Sequence, residues 1–576
     1  MKSAPAEPDA VMDQTTVKPN PYAAPAAAAQ DESSSLPVHR PAAPGENAVI
    51  WTLWLTYGAF YFCRTNISAA VPGMKASVGE GGLGLSGEEV GWILASLKIA
   101  YGLGQLLNGQ LSERLSPRVM LAFGMFGSAA LNVIFGTGAG FWFLLFVWAT
   151  NGFCQSLGWT PCVRVAANWI PIERRGHAIG IIGTGYQITL GLTYLIAAQA
   201  AEHFGWRGAL WAPSILLTLT GIFMLLFLRE APAGEEETSA PDASLGRLLA
   251  DERRTTVTLA EALYWTLYNP TLWLMGLALG LLNACRYGFV DWGVTHLMET
   301  QEGLSVGKAG LQYVVIAIGA TAGAYLAGWA TDKFFGSRRA PVICILMTLL
   351  GALTLVYHVA ASTSAAATMV LLVIIGFCVY GPQVLLVGTA PADLAHRSTA
   401  AAAAGFVNFM GYMGAATGDV VTGYYSAPEH GGWQVAIYIW AGWAFAGAAI
   451  TAVLWNTTAR KIGVLPPWFP KVASIALLLL AGSAVGSGKQ SLDSLALSIG
   501  TTAAFLCLFG SFVTRWAAVP GLVVAAAGVL VVFASYVRMS DGVTWNQAIA
   551  MVAYGLTMIT TLMILVQRKE HACESL

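Results

Sequence analysis

Long apolar segments dominate this chain and restrict what it can fold into. Many run for roughly 18–25 residues, the length that an α-helix needs to cross about 30 Å of hydrocarbon. Only 11% of the 576 residues are charged, against about 25% in a typical soluble domain. We therefore predict an all-α polytopic membrane protein embedded in the lipid bilayer. About sixteen spans are expected, which begin near Val49, Glu89, Val119, Gly140, His177, Ala209, Asn269, Val306, Pro341, Thr368, Ala400, Trp433, Phe469, Ser491, Ala518 and Trp545.

The loops between these spans alternate in charge. One set is basic, at 113–118, 173–175, 332–339 and 460–461, whereas the opposite loops are poor in lysine and arginine. By the positive-inside rule the basic loops face the cytoplasm. We expect a multi-pass protein of the cell (inner) membrane whose N- and C-termini are both cytoplasmic.

The longest polar break between spans divides the chain into two sets of six. We predict a disordered cytoplasmic tail at 1–46, because this stretch is rich in alanine, proline and polar residues. An N-terminal six-helix bundle at 47–228 and a C-terminal one at 269–461 are joined by a cytoplasmic linker at 229–268. An extra four-helix membrane region at 462–576 lies outside this symmetry, and for it we favour a role in packing, assembly or stability over a second pore.

Two features recur in both halves at nearly one offset, which indicates an internal duplication. Arg286 follows Arg64 by 222 positions, and Gly328 follows Gly109 by 219. Each glycine precedes a loop that carries both acidic and basic residues. We predict that these loops form a conformational latch between cytoplasmic helix ends; the alternative is that their charges only set the topology. The latch residues are Gly109, Glu113, Arg114, Arg118, Gly328, Asp332, Lys333 and Arg338.

Two arginines lie deep within predicted spans. A charge in a span costs at least a few kcal/mol unless it is paired or hydrated, so such a residue is a functional candidate. Arg64 and Arg286 are each the intramembrane arginine of the first span in their half. Two planar guanidinium groups that face one cavity suit a phosphate dianion. The alternative is that each arginine is neutralised by a buried acid or snorkels to the interface.

Other polar and aromatic residues in the spans are candidates for the same substrate-binding site: Tyr61, Asn66, Lys98, Tyr101, Gln155, Tyr186, Tyr287 and Asp291. Asp291 either pairs with an arginine and yields to substrate or is a fixed structural partner. Lys98 is alternatively a snorkelling or locally paired lysine. The role of Asp419, in the eleventh span, is left open.

No catalytic constellation stands out in the sequence. It has no Walker loop, GxSxG or HExxH motif, and its eight cysteines show no metal-ligand spacing. We therefore expect no enzymatic activity, no cofactor and no metal site. The formal net charge of −1 gives no electrostatic basis for binding nucleic acid.

Several segments between about residues 47 and 460 resemble the organophosphate:phosphate antiporter family of the major facilitator superfamily. The most specific are NGFCQSLGWTPCVR at 151–164 and RYGFVDW at 286–292; shorter ones are FYFCRTN at 60–66, IAYG at 99–102, ERRG at 173–176, YGP at 380–382, AGF at 404–406 and GY at 411–412. The resemblance implies the major facilitator fold of two six-helix bundles and alternating access around a central site. It also implies that Arg64 and Arg286 hold the phosphate of an organophosphate, such as glycerol 3-phosphate or a sugar phosphate, which exchanges for inorganic phosphate.

The chain departs from this family at four charged positions, which are occupied by Thr65, Gln105, Tyr186 and Ala317. The site is then less highly charged, and its preferred substrate differs from the usual one. Two alternative functions stay open. The resemblance also allows a membrane sensor of external sugar phosphate with a signalling partner, because the family includes transporter-like sensors. The lost charges allow a transporter of another organic anion or a neutral metabolite.

Overall fold

The computed structural model describes residues 44–111, 115–232, 259–336, 338–394, 399–457, 465–466, 468–486, 523 and 545–566. Throughout these residues every regular element is a helix, which confirms the predicted all-α fold. Most of the predicted tail and the middle of the predicted linker lie outside the described residues. The end of that linker, at Leu259–Leu267, is helical.

The first half contains two predicted spans that are not continuous helices. The first is interrupted by a 3-10 turn at Phe60–Cys63, and the fourth by a turn at 157–158. Such breaks are tolerated at membrane depth where the backbone is buried in protein, as it is here. The helices are α1 (Glu46–Ala59), α2 (Ile67–Lys75), α3 (Gly87–Leu111), α4 (Pro117–Thr137), α5 (Phe141–Ser156), α6 (Trp159–Trp169), α7 (Ile172–Phe204) and α8 (Gly208–Phe227).

The second half begins with a short helix and then repeats the pattern of long ones. Its elements are α9 (Leu259–Leu267), α10 (Pro270–Thr300), α11 (Val306–Tyr313), α12 (Ile316–Phe334), α13 (Arg339–Thr363), α14 (Ala365–Val384), α15 (Ala390–Leu394), α16 (Ala400–Tyr425) and α17 (Gly432–Val453). The start of α10 is well defined, because Asn269 accepts a 3.0 Å bond from the Thr271 amide and proline occupies the first turn. A π-helical turn at Leu385–Thr389 joins α14 to α15.

Eight helices in the described part of the chain are long and apolar enough to cross a membrane. They are Pro117–Thr137, His177–Phe204, Gly208–Phe227, Pro270–Thr300, Val306–Phe334, Arg339–Thr363, Ala365–Gly388 and Gly432–Val453. The other predicted spans before residue 454 are either the two broken ones or the helices α3 and α16, which carry Lys98 and Asp419. The spans predicted near Ser491 and Ala518 lie outside the described residues.

Besides a contact between α2 and α10, the halves pack against each other through two helix pairs. The α3 helix contacts α16, and α7 contacts α11 and α12. If the second half repeats the first, α11 and α12 correspond to α3, and α16 corresponds to α7. The two contacts between the halves are then related to each other by the internal repeat. Small residues allow both: a Cβ at Gly91 would lie 2.7 Å from the Asp419 carbonyl oxygen, and one at Gly310 would lie 2.7 Å from that of Tyr194.

Beyond the two halves, the helices α18 (Phe469–Gly486) and α19 (Trp545–Val566) pack on each other. The Ser474 hydroxyl donates a 2.7 Å hydrogen bond to Oγ1 of Thr560 between them. The Tyr268 hydroxyl, just after α9, donates to the Met563 carbonyl at 2.9 Å. The C-terminal helices therefore contact the segment that leads into α10.

Candidate functional site

Arg64 lies directly after the 3-10 turn in the first half and is only 3% exposed. Its Nε donates a 3.0 Å hydrogen bond to Oε1 of Gln155. Its guanidinium carbon lies 4.7 Å from the centre of the Tyr61 ring and 4.5 Å from that of Tyr101. Neither Nη1 nor Nη2 has a hydrogen-bond partner in the described part of the chain. A buried cation with unpaired donors is costly, so this side of the group is poised to receive an anion.

Gln155 holds Arg64 in place from the end of α5. Its Nε2 donates to the Phe60 carbonyl at 3.0 Å and to the Ser128 hydroxyl at 2.7 Å. These two bonds fix the amide, so that its oxygen faces Arg64. The guanidinium is therefore oriented before any ligand arrives.

Arg286 occupies the matching place in the second half, inside the continuous helix α10. Its Nη2 lies 3.4 Å from the Tyr380 hydroxyl, to which it donates. The guanidinium carbon lies 4.7 Å from the Tyr287 ring centre and 4.9 Å from that of Tyr380. Its Nε has no partner among the residues that the structure describes. Cation–π contacts thus stabilise the charge on both arginines while leaving polar donors unpaired.

A continuous series of rings joins the two arginines across the boundary between the halves. Tyr61 stacks on Tyr186 with ring centres 5.0 Å apart, and Tyr186 lies 6.3 Å from Tyr380. Tyr61 lies under the Arg64 guanidinium at one end of this series, and Tyr380 lies under that of Arg286 at the other. The structure therefore brings the two arginines to one aromatic-lined centre.

Lys98 forms a second charged cluster beside this centre. Its Nζ bonds Oδ2 of Asp291 and lies 2.7 Å from Oδ2 of Asp419. All three side chains are at most 3% exposed. Nζ also lies 4.8 Å from the Tyr287 ring centre. Lys98 is thus the ion-pair partner of Asp291, and its helix belongs to the first half while both aspartates belong to the second.

Asn66 is a predicted site residue that the structure does not bring to the aromatic-lined centre around the two arginines. Its Nδ2 donates to Asn132 at 2.9 Å and to the Ala209 carbonyl at 3.1 Å, so these bonds lie within the first half. Tyr380 and Asp419 are among the residues near the centre that were absent from the predicted site. Tyr380 belongs to a family-like YGP segment, and Asp419 is an intramembrane acid; both signals were available in the sequence.

The halves meet at the membrane end opposite the basic loops. Lys75, at the end of α2, forms a 2.6 Å ion pair with Glu299 at the end of α10, and Glu299 also accepts a 2.8 Å bond from the Trp433 indole. Glu202 accepts a 2.9 Å bond from the Gly307 amide. This end is therefore closed by contacts between α2 and α10 and between α7 and α11.

At the basic end, Arg339 bonds Asp332 at 2.9 Å and Asp393 at 3.3 Å, all within the second half. The predicted latch residue Arg338 donates to Asn456 at 3.3 Å, and Lys333 lies 4.8 Å from the Trp329 ring centre. Arg118 donates to the Leu225 carbonyl within the first half. Gly109 and Gly328 lie in α3 and α12, and Glu113 and Arg114 lie outside the described residues. The latch stays a prediction.

Comparison with known proteins establishes the family. The family model of the Major Facilitator Superfamily matches residues 53–419. The chain belongs to the major facilitator superfamily. Within this superfamily, it is 29% identical over 419 residues to the glycerol-3-phosphate transporter of Bacillus subtilis, covering 71% of this chain and 92% of that one.

Two further relatives within the superfamily support the same grouping. The membrane sensor protein UhpC of Escherichia coli is 30% identical over 379 residues, covering 64% of this chain and 83% of its own length. A probable hexose phosphate transport protein of Chlamydia trachomatis is 28% identical over 383 residues, covering 64% and 82%. The resemblance to the organophosphate:phosphate antiporter family is confirmed.

Solved structures confirm the major facilitator fold of two six-helix bundles. A bacterial homologue of the human lysosomal transporter Spinster, inward-facing and unoccupied, gives a TM-score of 0.57 at 17% identity and covers 73% of this chain and 98% of that one. The peptide transporter POT in complex with sulfate gives 0.55 at 14% identity, covering 71% and 94%. At these identities the similarity concerns the fold alone.

Proposed function

We propose that this protein exchanges an organophosphate for inorganic phosphate by alternating access, with Arg64 and Arg286 binding the phosphate. The observation that carries the proposal is the pair of buried arginines. One comes from each half; in the described part of the chain, Nη1 and Nη2 of Arg64 and Nε of Arg286 have no hydrogen-bond partner. A continuous series of tyrosine rings connects them.

The chemistry of the two groups favours a phosphate over other anions. Guanidinium groups bind phosphate oxygens through paired, charge-assisted hydrogen bonds. Two buried cations that form no ion pair within the described part of the chain are costly, and a dianion between them reduces that cost for both. Because one arginine comes from each half, a bound phosphate also links the halves, and its binding energy can then shift the balance between the two access states.

Alternating access requires contacts that form at one membrane end and break as the other end closes. The halves meet at the end opposite the basic loops, where Lys75 pairs with Glu299. If the basic loops are cytoplasmic, as the positive-inside rule indicates, the end that these contacts close faces the outside of the cell. We place the protein in the inner membrane with both termini cytoplasmic.

The relatives support the substrate class. Two of them are named as a glycerol-3-phosphate transporter and a probable hexose phosphate transport protein, so glycerol 3-phosphate and hexose phosphates are the first substrates to test. The tyrosines around the two arginines present ring faces and hydroxyl groups that suit the polyol or sugar part of such a substrate.

A sensor of external sugar phosphate, working with a signalling partner, is the second candidate. It is favoured by the similarity to a relative named as a membrane sensor protein. The helices α18 and α19, which contact the start of the second half, offer additional surface for such a partner.

The experiment is uptake of radiolabelled glycerol 3-phosphate and hexose 6-phosphate into proteoliposomes. We expect uptake into vesicles loaded with inorganic phosphate and little into phosphate-free vesicles at equal pH. Saturable binding to the purified protein without any such counterflow would favour the sensor. Binding that a large excess of inorganic phosphate does not reduce would favour a transporter of another organic anion or a neutral metabolite.

A further inference from the structure

The cluster of Lys98, Asp291 and Asp419 lies where three helices meet, at the boundary between the halves. Each side chain is at most 3% exposed. The packing leaves little room for water, because a Cβ at Gly418 would lie 2.7 Å from the Ala284 backbone, and one at Gly91 would lie 2.7 Å from the Asp419 carbonyl oxygen. One ammonium group therefore serves two buried carboxylates.

This cluster has one carboxylate more than it has cations. When all groups are ionised it carries a net charge of −1, and burying such a charge is costly. In addition, Oδ1 of Asp419 receives no hydrogen bond within the described residues. Two carboxylates that share a site cannot both ionise easily, and a proton on one of them relieves the repulsion.

Among the described residues, the groups around the two aspartates include no further acid. Besides Lys98, the charged or titratable side chains that interact with Asp291 are Arg286 on α10, Tyr194 on α7 and Tyr380 on α14, and Tyr287 interacts with Lys98. Of these only Arg286 carries a charge near neutral pH. Its positive charge is directed to the phosphate site under the proposed function.

Charge balance then connects the cluster to the substrate. The two arginines and the ionised cluster together carry +1, so a bound phosphate dianion brings the enclosed region to −1. One proton added to the aspartate pair restores neutrality. Because uncompensated charge is unfavourable away from water, binding of the dianion and binding of the proton favour each other, as reciprocal linkage requires.

We propose that Asp291 and Asp419 share one transferable proton that is taken up with the substrate dianion and released with it, which couples substrate movement to proton movement. The proton comes from water, forms an O–H bond on one carboxylate, and returns to water when the halves separate and Lys98 leaves the aspartates. This inference rests on the proposed function and adds a driving ion to it. A purely structural ion pair between the halves would instead keep both carboxylates ionised and carry no proton.

The experiment separates proton-driven accumulation from exchange. Phosphate-free proteoliposomes are prepared at equal pH or with the interior about one unit more alkaline, the membrane potential is clamped, and the external pH is held constant so that the external substrate keeps one ionisation state. Coupling to one proton predicts about tenfold accumulation of labelled glycerol 3-phosphate per pH unit. Counterflow against internal phosphate is measured in parallel at equal pH.

The key variant is Asp419→Asn, which mimics a permanently protonated carboxyl group. We expect this variant to lose pH-driven accumulation, while its counterflow falls far less. Asp419→Glu should restore part of the pH-driven accumulation. Glu429→Gln, an exposed carboxylate just beyond the same helix, should accumulate substrate as the wild type does. Size-exclusion profiles of the detergent-solubilised variants check that each one folds.

Counterflow without pH-driven accumulation in the wild type would overturn the coupling and leave the proposed exchange intact. Accumulation by Asp419→Asn at the wild-type level would also overturn it, because the proton would then travel on the substrate. pH-driven accumulation without counterflow would support the coupling and contradict the proposed phosphate exchange.

Discussion

Oε1 of Gln155 accepts a 3.0 Å hydrogen bond from Nε of Arg64, and the same amide is fixed by bonds to Ser128 and to the Phe60 carbonyl. The glutamine therefore occupies Nε of Arg64, while Nη1 and Nη2 have no hydrogen-bond partner in the described part of the chain. This relationship makes Gln155 a positioning residue for the arginine, and the arginine itself is the proposed phosphate ligand.

Replacing Gln155 with leucine should weaken phosphate binding. A buried hydrogen bond to a charged group contributes about 1.5–3 kcal/mol, so we expect the concentration of inorganic phosphate that half-inhibits counterflow to rise at least about tenfold. The maximal rate should change less, because the arginine is still present. Gln434→Leu, at an exposed position where the amide bonds Tyr438 on its own helix, is the control. Equal half-inhibition for Gln155→Leu and wild type would argue against the positioning role.

Two glycines of α16 provide a matched pair of substitution sites, one packed within the second half and one packed against the first half. A Cβ at Gly414 would lie 2.2 Å from the Gly280 carbonyl oxygen within the second half, and one at Gly423 would lie 2.2 Å from that of Gly87 in the other half. We expect Gly414→Ala to lower the thermal unfolding temperature in detergent, because the overlap with backbone disturbs packing inside one bundle. Gly423→Ala should instead lower the counterflow rate with a smaller loss of stability, because it opposes closure between the halves. The reverse pattern would contradict this account of which contacts must open.

The contact between the C-terminal helices and α9 should matter for stability more than for transport. Tyr268→Phe removes the donor to the Met563 carbonyl, and an unsatisfied buried acceptor costs about 1–3 kcal/mol. We expect a lower midpoint of thermal unfolding and a counterflow rate within about twofold of wild type. Tyr325→Phe, at an exposed position, is the control. A counterflow rate that falls much further than stability would show that the extension takes part in transport.

The sequence predicts the spans and the deep arginines because both depend on local composition. Arg64 and Arg286 stand out as charges in apolar segments, and their common offset relates them to one another. What the sequence leaves open depends on packing between distant segments. Lys98 and Asp291 are 193 positions apart, and whether they pair is decided by how α3 meets α10.

Local backbone irregularity limits prediction in the same way. The 3-10 turn at Phe60–Cys63 rotates the chain that follows, and Asn66 then bonds Asn132 inside the first half although Arg64, two residues earlier, reaches the centre. A regular helix drawn from residue 49 onward would also turn these two residues about 200° apart, so their spacing indicates different directions, whereas the break in the helix is not indicated. The apolar pattern carries no signal for such a turn, because the residues on both sides of it are buried.

The measurement that tests the central claim most directly is phosphate counterflow by Arg64→Lys and Arg286→Lys, with Arg207→Lys as control. Lysine keeps the charge but lacks the planar fork of donors, so we predict that each of the first two variants loses at least about tenfold in initial rate, the loss of one or more charge-assisted bonds. Arg207 bonds the Gly136 carbonyl at the end of the first bundle, and its variant should transport normally. Wild-type rates in both Arg64→Lys and Arg286→Lys would contradict the two-arginine phosphate site.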